Sequence, residues 1–503
     1  MTSQPDFAAF SDAFARNEPT LVWTSLVADL DTPVSAFLKI ADGQPSSFLF
    51  ESVEGGATRG RYSVIGLKPD LVWRCVRGQA ALNRRAQTQP EAFVALAEQP
   101  LDSLRSLLAE SRVAIPSALP PMASGLFGYL GYGMIGQVER LPDTNPDLLG
   151  IPDGLLIRPT IIAIFDTVLD RLSVITPVWP TSGTTAQAAW DAAWDRLGAV
   201  VADFNRSLSH PADGGGEHAS PEPVPNMSRA DYHAMVERAK EYIRAGDIFQ
   251  VVPSQRFRVP FALPPFAFYR ALRRLNPSPF LFFLDFGGFS VVGSSPEILV
   301  RLRDQTVTIR PIAGTRKRGA TPEEDEALAA DLLADPKELA EHLMLLDLAR
   351  NDVGRVAKIG SVRVAEKMVI DRYSHVMHIC STVEGTLDQA HDALDALMAG
   401  FPAGTVSGAP KVRAMEIIDE LEPERRNVYG GAVGYFGGGG AMDTCIALRT
   451  AVVKDGTIIL QAGGGVVADS DPESEYQETI NKAKALVRAA EEAVRFATLR
   501  QNI

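Results

Sequence analysis

The run DTCIALRTAVVKDGTIILQAGG (residues 443–464) decides how this chain folds. Two apolar, alternating stretches flank Lys454-Asp455-Gly456, and Asp-Gly between such stretches marks a β-hairpin. A hairpin makes its two strands antiparallel. Similar strand-like runs lie upstream: SSFLFESV (46–53), LVWRCV (71–76), TIIAIFDTVL (160–169), IFQVVPSQRFRV (248–259), FLFFLDF (280–286), FSVVGSS (289–295) and TVTIRPI (306–312). Helix-like runs are interspersed, among them AAWDAAWDRLGAVVADF (188–204) and SRADYHAMVERAKEYIRAG (228–246), the latter with Ser228 placed as cap and Gly246 as stop. A last helix starts near Pro472, with Ala483, Leu486, Val487, Ala490, Val494 and Ala497 in one apolar stripe. Hairpins mixed with helices, without alternating βαβ order, predict an α+β fold with largely antiparallel sheets.

The chain has 503 residues, which predicts two or three domains or one large layered fold. The segment SLSHPADGGGEHASPEPVPN (207–226) has no apolar period and reads as a linker or exposed loop, dividing residues 1–206 from 227–503. Hydrophobic residues at 46% and charged residues at 22% are ordinary for a globular protein. The net charge of −13 opposes nucleic-acid binding, so an anionic ligand needs a local cluster of arginine, helix N-termini or a metal ion. Cys75, Cys380 and Cys445 lie far apart in apolar settings and read as reduced thiols, as in a cytoplasm. No leader peptide and no membrane span is expected.

Two helix starts are acidic in the same way. DPKELAEHLMLLDLARND (335–352) offers Asp335 as cap and Pro336 as first helical residue, with Glu338 and Glu341 three apart on one face. DPESEYQETINKAKAL (471–486) repeats the Asp-Pro start and the spacing, with Glu475 and Glu478. Four facing carboxylates would suit Mg²⁺, which prefers hard oxygen ligands. Capping boxes and dipole-compensating acids give the same spacing. In FPAGTVSGAPKVRAMEIIDEL (401–421) a helix opens at Pro410 after Gly404 and Gly408, either an anion site or an ordinary turn. Arg449, a charge in an apolar strand, reads as a carboxylate clamp or a solvated face. His378 in YSHVMHICSTVEG (373–385) reads as an acid–base group or a satisfied core histidine.

The combination is more specific than its parts. PIAGTRKRG, ELAEHLMLLDLARNDVGRV, YSHVMHICSTVEG, FPAGTVSGAPKVRAMEIIDELEPERRNVYGGAVGY, DTCIALRT and QAGGGVVADSDPESEYQETINKA occur in this order. Together they resemble the chorismate-utilising enzymes, and within them the family of anthranilate synthase large subunits. FLFESVEGGATRGRYSVIG (48–66) is similar to the same family, so the resemblance spans nearly the whole chain.

That resemblance implies a layered α/β/β/α architecture with two packed sheets and the site between them. It implies conversion of chorismate and ammonia to anthranilate and pyruvate with Mg²⁺ as cofactor. Glu341 and Glu478 look like direct metal ligands, with Glu475 and Glu338 supporting the metal's waters or serving in proton transfer. Arg449, Tyr429 and the backbone of Gly463, Gly464 and Gly465 would hold the enolpyruvyl carboxylate. Gly314 and Thr315 would line the ring pocket, with Thr405 near it. Glu297 resembles a further acidic pocket residue, and His378 the family's catalytic histidine.

Ala313 stands where aminodeoxychorismate synthase subunits usually carry a nucleophilic lysine, and Gln250 stands where water-adding relatives tend to carry a lysine base. Neither side chain can do that chemistry, so direct addition of ammonia at C2 is expected. Tryptophan feedback is implied through Ser52, Pro279, Phe280 and Leu281, although Phe280 and Leu281 stand where the family often has Tyr and Met. A separate glutamine amidotransferase subunit is implied as ammonia source. The competing readings are an aminodeoxychorismate synthase subunit and a non-catalytic regulator that binds tryptophan or chorismate.

Overall fold

A computed structural model describes residues 4–54, 58–208, 222–373 and 376–499. Most of the expected linker therefore lies outside the described residues, although Val224–Pro225 forms a short edge strand on Phe257 and Arg258.

The hairpin of the opening run is present as strands Thr450–Lys454 and Thr457–Gly463. Asp455 (φ 49°) and Gly456 (φ 68°) make the left-handed turn between them. Every ladder among the described strands is antiparallel, and all but one two-stranded pair join a single hydrogen-bonded network of 21 strands.

That network is nevertheless two packed layers, and one strand pair shows why. In Thr58–Val76, Ile65 faces one helical layer while Val64 faces the space between the sheets. The register slips between Pro69 and Leu71, against Gly154–Asp166. Beyond the slip, Leu71 and Trp73 face a different helical layer, while Val72 still faces the middle. A bulge bends and twists a strand, so this pair passes from one sheet into the other. The first outer layer holds Pro33–Ile40, Ala186–Phe204, Pro265–Leu275 and Pro472–Leu499. The second holds Pro100–Glu110, Pro336–Gly354, Ala393–Gly400 and Lys411–Leu421. The architecture is the expected α/β/β/α.

Strands from both sides of residues 207–226 pair directly: Ser47–Glu54 with Phe280–Asp285, and Gly125–Leu130 with Ala432–Gly437. The predicted stripe of the last helix is buried, with Leu486 and Ala490 at 1% and 0% exposure. Each large apolar side chain hidden this way contributes about 1.5–3 kcal/mol. The cysteines are free and buried. No described helix is long and apolar enough to cross a membrane.

Candidate active site

Both acidic helix starts form as their sequences require. Asp335 caps Pro336–Gly354, its carboxylate accepting from the amides of Lys337 (3.0 Å) and Glu338 (3.3 Å). Asp471 accepts from the amide of Ser474 (2.9 Å) at the start of Pro472–Leu499. The helices belong to opposite outer layers, yet their first turns act on one another. Burial, then the charges of Glu338 and Glu478, push the Glu341 carboxyl up. Burial, with Glu478 adding to it, does the same to Glu475 against the bond from Ser470. Like charges gathered this way want a cation.

Lys482 supplies part of it, reaching Glu478 (2.7 Å) and the Gly463 carbonyl (2.9 Å). Glu475 Oε1 accepts from Ser470 (2.8 Å), while its buried Oε2 has no hydrogen-bond partner among the described residues. An orphaned carboxylate oxygen among crowded carboxylates fits a hard divalent ion. Among the described residues no three acidic, histidine or cysteine side chains yet converge as a finished ligand set. Glu338 is engaged elsewhere: Oε1 is 3.3 Å from Arg316.

Gly314 explains its own identity. Its φ is +67°, and a Cβ there would stand 3.0 Å from both Glu338 Oε2 and Leu332. Its carbonyl lies 2.8 Å from His378 Nδ1. A carbonyl only accepts, so Nδ1 carries the proton and Nε2 keeps a lone pair. Thr315 is exposed, and its hydroxyl meets the same Nδ1 at 3.1 Å, so it orients the histidine. Burial lowers the His378 pKa, which keeps the imidazole neutral. Ala313 is buried and pairs across the ladder with Ile379, next to the histidine.

Glu297 is 4% exposed, and burial pushes its carboxyl up to about 8 against the opposing bond from Thr405. The Thr405 hydroxyl donates to Oε1 at 2.9 Å. At neutral pH this group is a carboxylic acid with a proton to give.

Arg449 departs from the strand position expected of it. The ladder stops at Ile446 and resumes at Thr450, and Arg449 sits in the break at φ +47°. The left-handed residue takes the side chain out of strand alternation. Among the described residues its guanidinium has no ion-pair or hydrogen-bond partner. Burial lowers its pKa against smaller opposing contributions from Tyr373 and then Glu297, neither of which is charged at neutral pH. A cation so placed is a receptor for an anion.

Gly463–Gly465 admit close approach. A Cβ on Gly463 would meet the Tyr429 hydroxyl at 2.9 Å, and one on Gly464 would meet Glu475 Oε2 at 2.9 Å. Gln250 packs its amide on Gly465 and leaves a buried Oε1 with no hydrogen-bond partner among the described residues.

Sequence reading missed the group that fixes these parts together. Arg426 is buried and paired with Glu422 (2.6 Å), and donates to the carbonyls of Val406 (2.5 Å) and Val252 (2.6 Å). Glu422 also accepts from the amide and hydroxyl of Ser254. One guanidinium thus ties the Thr405 turn, the Gln250 strand and the Tyr429 segment. In EPERRNVYGG nothing distinguishes Arg426 from its neighbour Arg425, which pairs with exposed Asp143. Lys411, at the helix opening read as a possible anion site, is buried and held by Asp352 (2.9 Å).

Ser52, Pro279, Phe280 and Leu281 come together in the wall of a separate cavity of about 610 Å³. Leu281 pairs in register with Glu51, which bonds Arg273 and Tyr269. Tyr435 and Asp443 also line it; Asp443 Oδ2 is held by Arg301 (3.1 Å) and Arg303 (2.8 Å), while its buried Oδ1 has no hydrogen-bond partner among the described residues.

With these groups in view, the comparisons decide the kinship. The profile of the chorismate binding enzyme family matches residues 57–488. This chain belongs to the chorismate binding enzyme family. Anthranilate synthase component 1 of Cereibacter sphaeroides is 60% identical over 491 residues, covering 98% of both chains. Its counterpart from Pseudomonas putida is 51% identical, covering 92% of this chain and 93% of that one. The crystal structure of anthranilate synthase component I from Streptococcus pneumoniae superposes with a TM-score of 0.77 at 36% identity, covering 92% of this chain and 98% of the other. MenF, the isochorismate synthase of Escherichia coli, shares the fold at TM-score 0.70 and 20% identity. Within its family the chain groups with the anthranilate synthase large subunits.

Proposed function

We propose that the chain is the synthase subunit of an anthranilate synthase, converting chorismate and ammonia to anthranilate, pyruvate and water at the first step of tryptophan biosynthesis. The observation that carries this reading is Arg449: a cation with no anionic partner among the described residues, beside an acid that is protonated and a histidine that is neutral.

Chorismate is a dianion. Arg449, Tyr429 and the Gly463–Gly465 backbone hold the enolpyruvyl carboxylate. Glu341 and Glu478, supported by Glu475, would hold Mg²⁺, which supplies charge compensation for the ring carboxylate. Ammonia attacks C2, the ring double bonds shift, and the C4–O bond breaks. Glu297 gives its proton to the departing hydroxyl, which leaves as water, and the new ammonium returns a proton to the site. In the second half His378 Nε2 takes the C2 proton, the C3–O bond breaks and the ring aromatises. The enolpyruvate released gains a proton to become pyruvate. Ala313 supports amination at C2, because its methyl side chain offers no nucleophile to take C4 first.

Ammonia comes from a separate glutamine amidotransferase subunit, a reading that the relatives' name "component 1" supports. Tryptophan occupies the cavity at Ser52 and Pro279–Leu281 as feedback inhibitor, and the open Oδ1 of Asp443, whose Oδ2 is held by Arg301 and Arg303, suits its ammonium group. Three free thiols fit a cytoplasmic protein.

The test uses the purified chain with chorismate, Mg²⁺ and ammonium, following anthranilate fluorescence with and without tryptophan. Anthranilate that tryptophan suppresses is expected. Chorismate consumed to an aminated product that keeps its enolpyruvyl group would refute the reading.

A further inference from the structure

The cavity and the candidate catalytic groups stand on two sides of one layer of chain. Pro296, Ile312, Asp371, Arg372 and Tyr373 line the cavity. Their neighbours in sequence serve the other side: Glu297 follows Pro296, and Gly314, whose carbonyl orients His378, lies two residues beyond Ile312. The amide of Ile312 itself bonds Glu297.

Tyr373 is where the two sides touch through a side chain. Its ring meets the His378 imidazole edge-on, with 5.6 Å between centroids. Its backbone is pinned on both sides: the amide donates to Val376 O (2.8 Å), and the carbonyl accepts from Arg318 (2.6 Å). Arg318 is in turn gripped by Asp325 at 2.7 and 3.0 Å. Asp371, in the same cavity wall, pairs in register with His378 and is held by Arg310 at 2.9 Å. A side chain on a pinned backbone answers pressure by moving its ring, and the ring's neighbour is the imidazole.

We propose that Tyr373 is a positioning residue shared by two sites: its ring sets the imidazole of His378, so that an amino acid filling the cavity at Ser52 and Pro279–Leu281 acts on catalysis through this side chain. The inference rests on the anthranilate synthase reading and on tryptophan as the occupant.

The experiment compares full-length wild type, Y373F and Y373L with ammonium as nitrogen source, reading kcat, KM for chorismate, tryptophan binding by calorimetry and tryptophan inhibition. Y373F keeps the ring and loses the hydroxyl. With the ring still seated against the imidazole, its kcat, KM and tryptophan inhibition should stay within about twofold of wild type. Y373L loses the ring as well. Its kcat should fall by about tenfold or more as the imidazole loses its orientation. Tryptophan should bind both variants within about threefold of wild type, yet saturating tryptophan should barely inhibit Y373L, because bound effector no longer reaches His378.

Wild-type kcat in Y373L, or a Y373F that loses tryptophan inhibition, would overturn the proposal. So would full inhibition in Y373L, or loss of tryptophan binding itself, which would reduce Tyr373 to a wall of the cavity. If Y373L does not fold, Y373M, which keeps side-chain bulk without the ring, decides by the same kcat and inhibition readouts. A wild-type chain that makes no anthranilate or binds no tryptophan fails the underlying reading instead, before any variant is compared.

Discussion

Replacing Glu297 with glutamine isolates one proton. The carboxyl is buried and pushed from 4.5 to about 8. A raised folded pKa means that the folded chain holds this proton more tightly than the unfolded one. On this account stability is greatest below the unfolded value and is lost as pH rises through about 8. The full shift is ~5 kcal/mol, at 1.36 kcal/mol for each pH unit. Roughly half of it, ~2–3 kcal/mol, falls between about pH 6 and pH 9.

Glutamine cannot ionise and keeps an acceptor for the Thr405 hydroxyl. In E297Q that decline should vanish, so denaturant unfolding at about pH 9 should favour the variant more than at about pH 6, by ~2 kcal/mol or more. Catalysis should move the other way. Without the acid, kcat should fall by about 10²–10⁴. The wild-type alkaline limb, measured at fixed free ammonia so that nucleophile supply is constant, should centre near 8 and be missing from the residual rate of E297Q. Wild-type kcat in E297Q, or an unaltered alkaline limb, would refute Glu297 as the acid.

Other outcomes follow from the same geometry. R449Q should raise KM for chorismate by roughly 100-fold, the ~2–3 kcal/mol of a charge-assisted bond to a carboxylate; unchanged saturation curves would sink the clamp. E341Q and E478Q should each abolish Mg²⁺ binding by calorimetry as well as turnover, and binding that survives in either removes that residue from the ligand set. A313K should place an amine beside His378 and suppress anthranilate formation by tenfold or more (about 1.4 kcal/mol in barrier); undiminished anthranilate means that Ala313 does not govern the product. R426M leaves Glu422 buried at 3% exposure without its cation, a loss of ~3–5 kcal/mol that thermal unfolding would register.

The local parts of this protein are written locally. Asp335 caps its helix because a short carboxylate before Pro336 can reach two free amides, and that depends on four consecutive residues. The Lys454–Gly456 turn, the Ser228 cap and the Gly246 stop are legible for the same reason. Hairpins fix antiparallel pairing, so fold class followed from spacing, and the ordered motifs carried the kinship.

What tertiary structure decided is which distant groups meet. Glu341 and Glu478 are 137 residues apart and feel one another only because two outer layers bring their helices together. Arg425 and Arg426 are adjacent and chemically identical, yet one pairs with an exposed acid and the other is sealed beside Glu422. Arg449 read as a strand residue until a left-handed backbone turned it out of the ladder. The pKa of Glu297 is set by burial, which no run of residues states. Tyr373 gained its place only when the far wall of a cavity proved to be the near wall of the catalytic groups. Capping and turn energies act over a few residues of chain, whereas burial and charge act through space, and only the folded chain supplies that space.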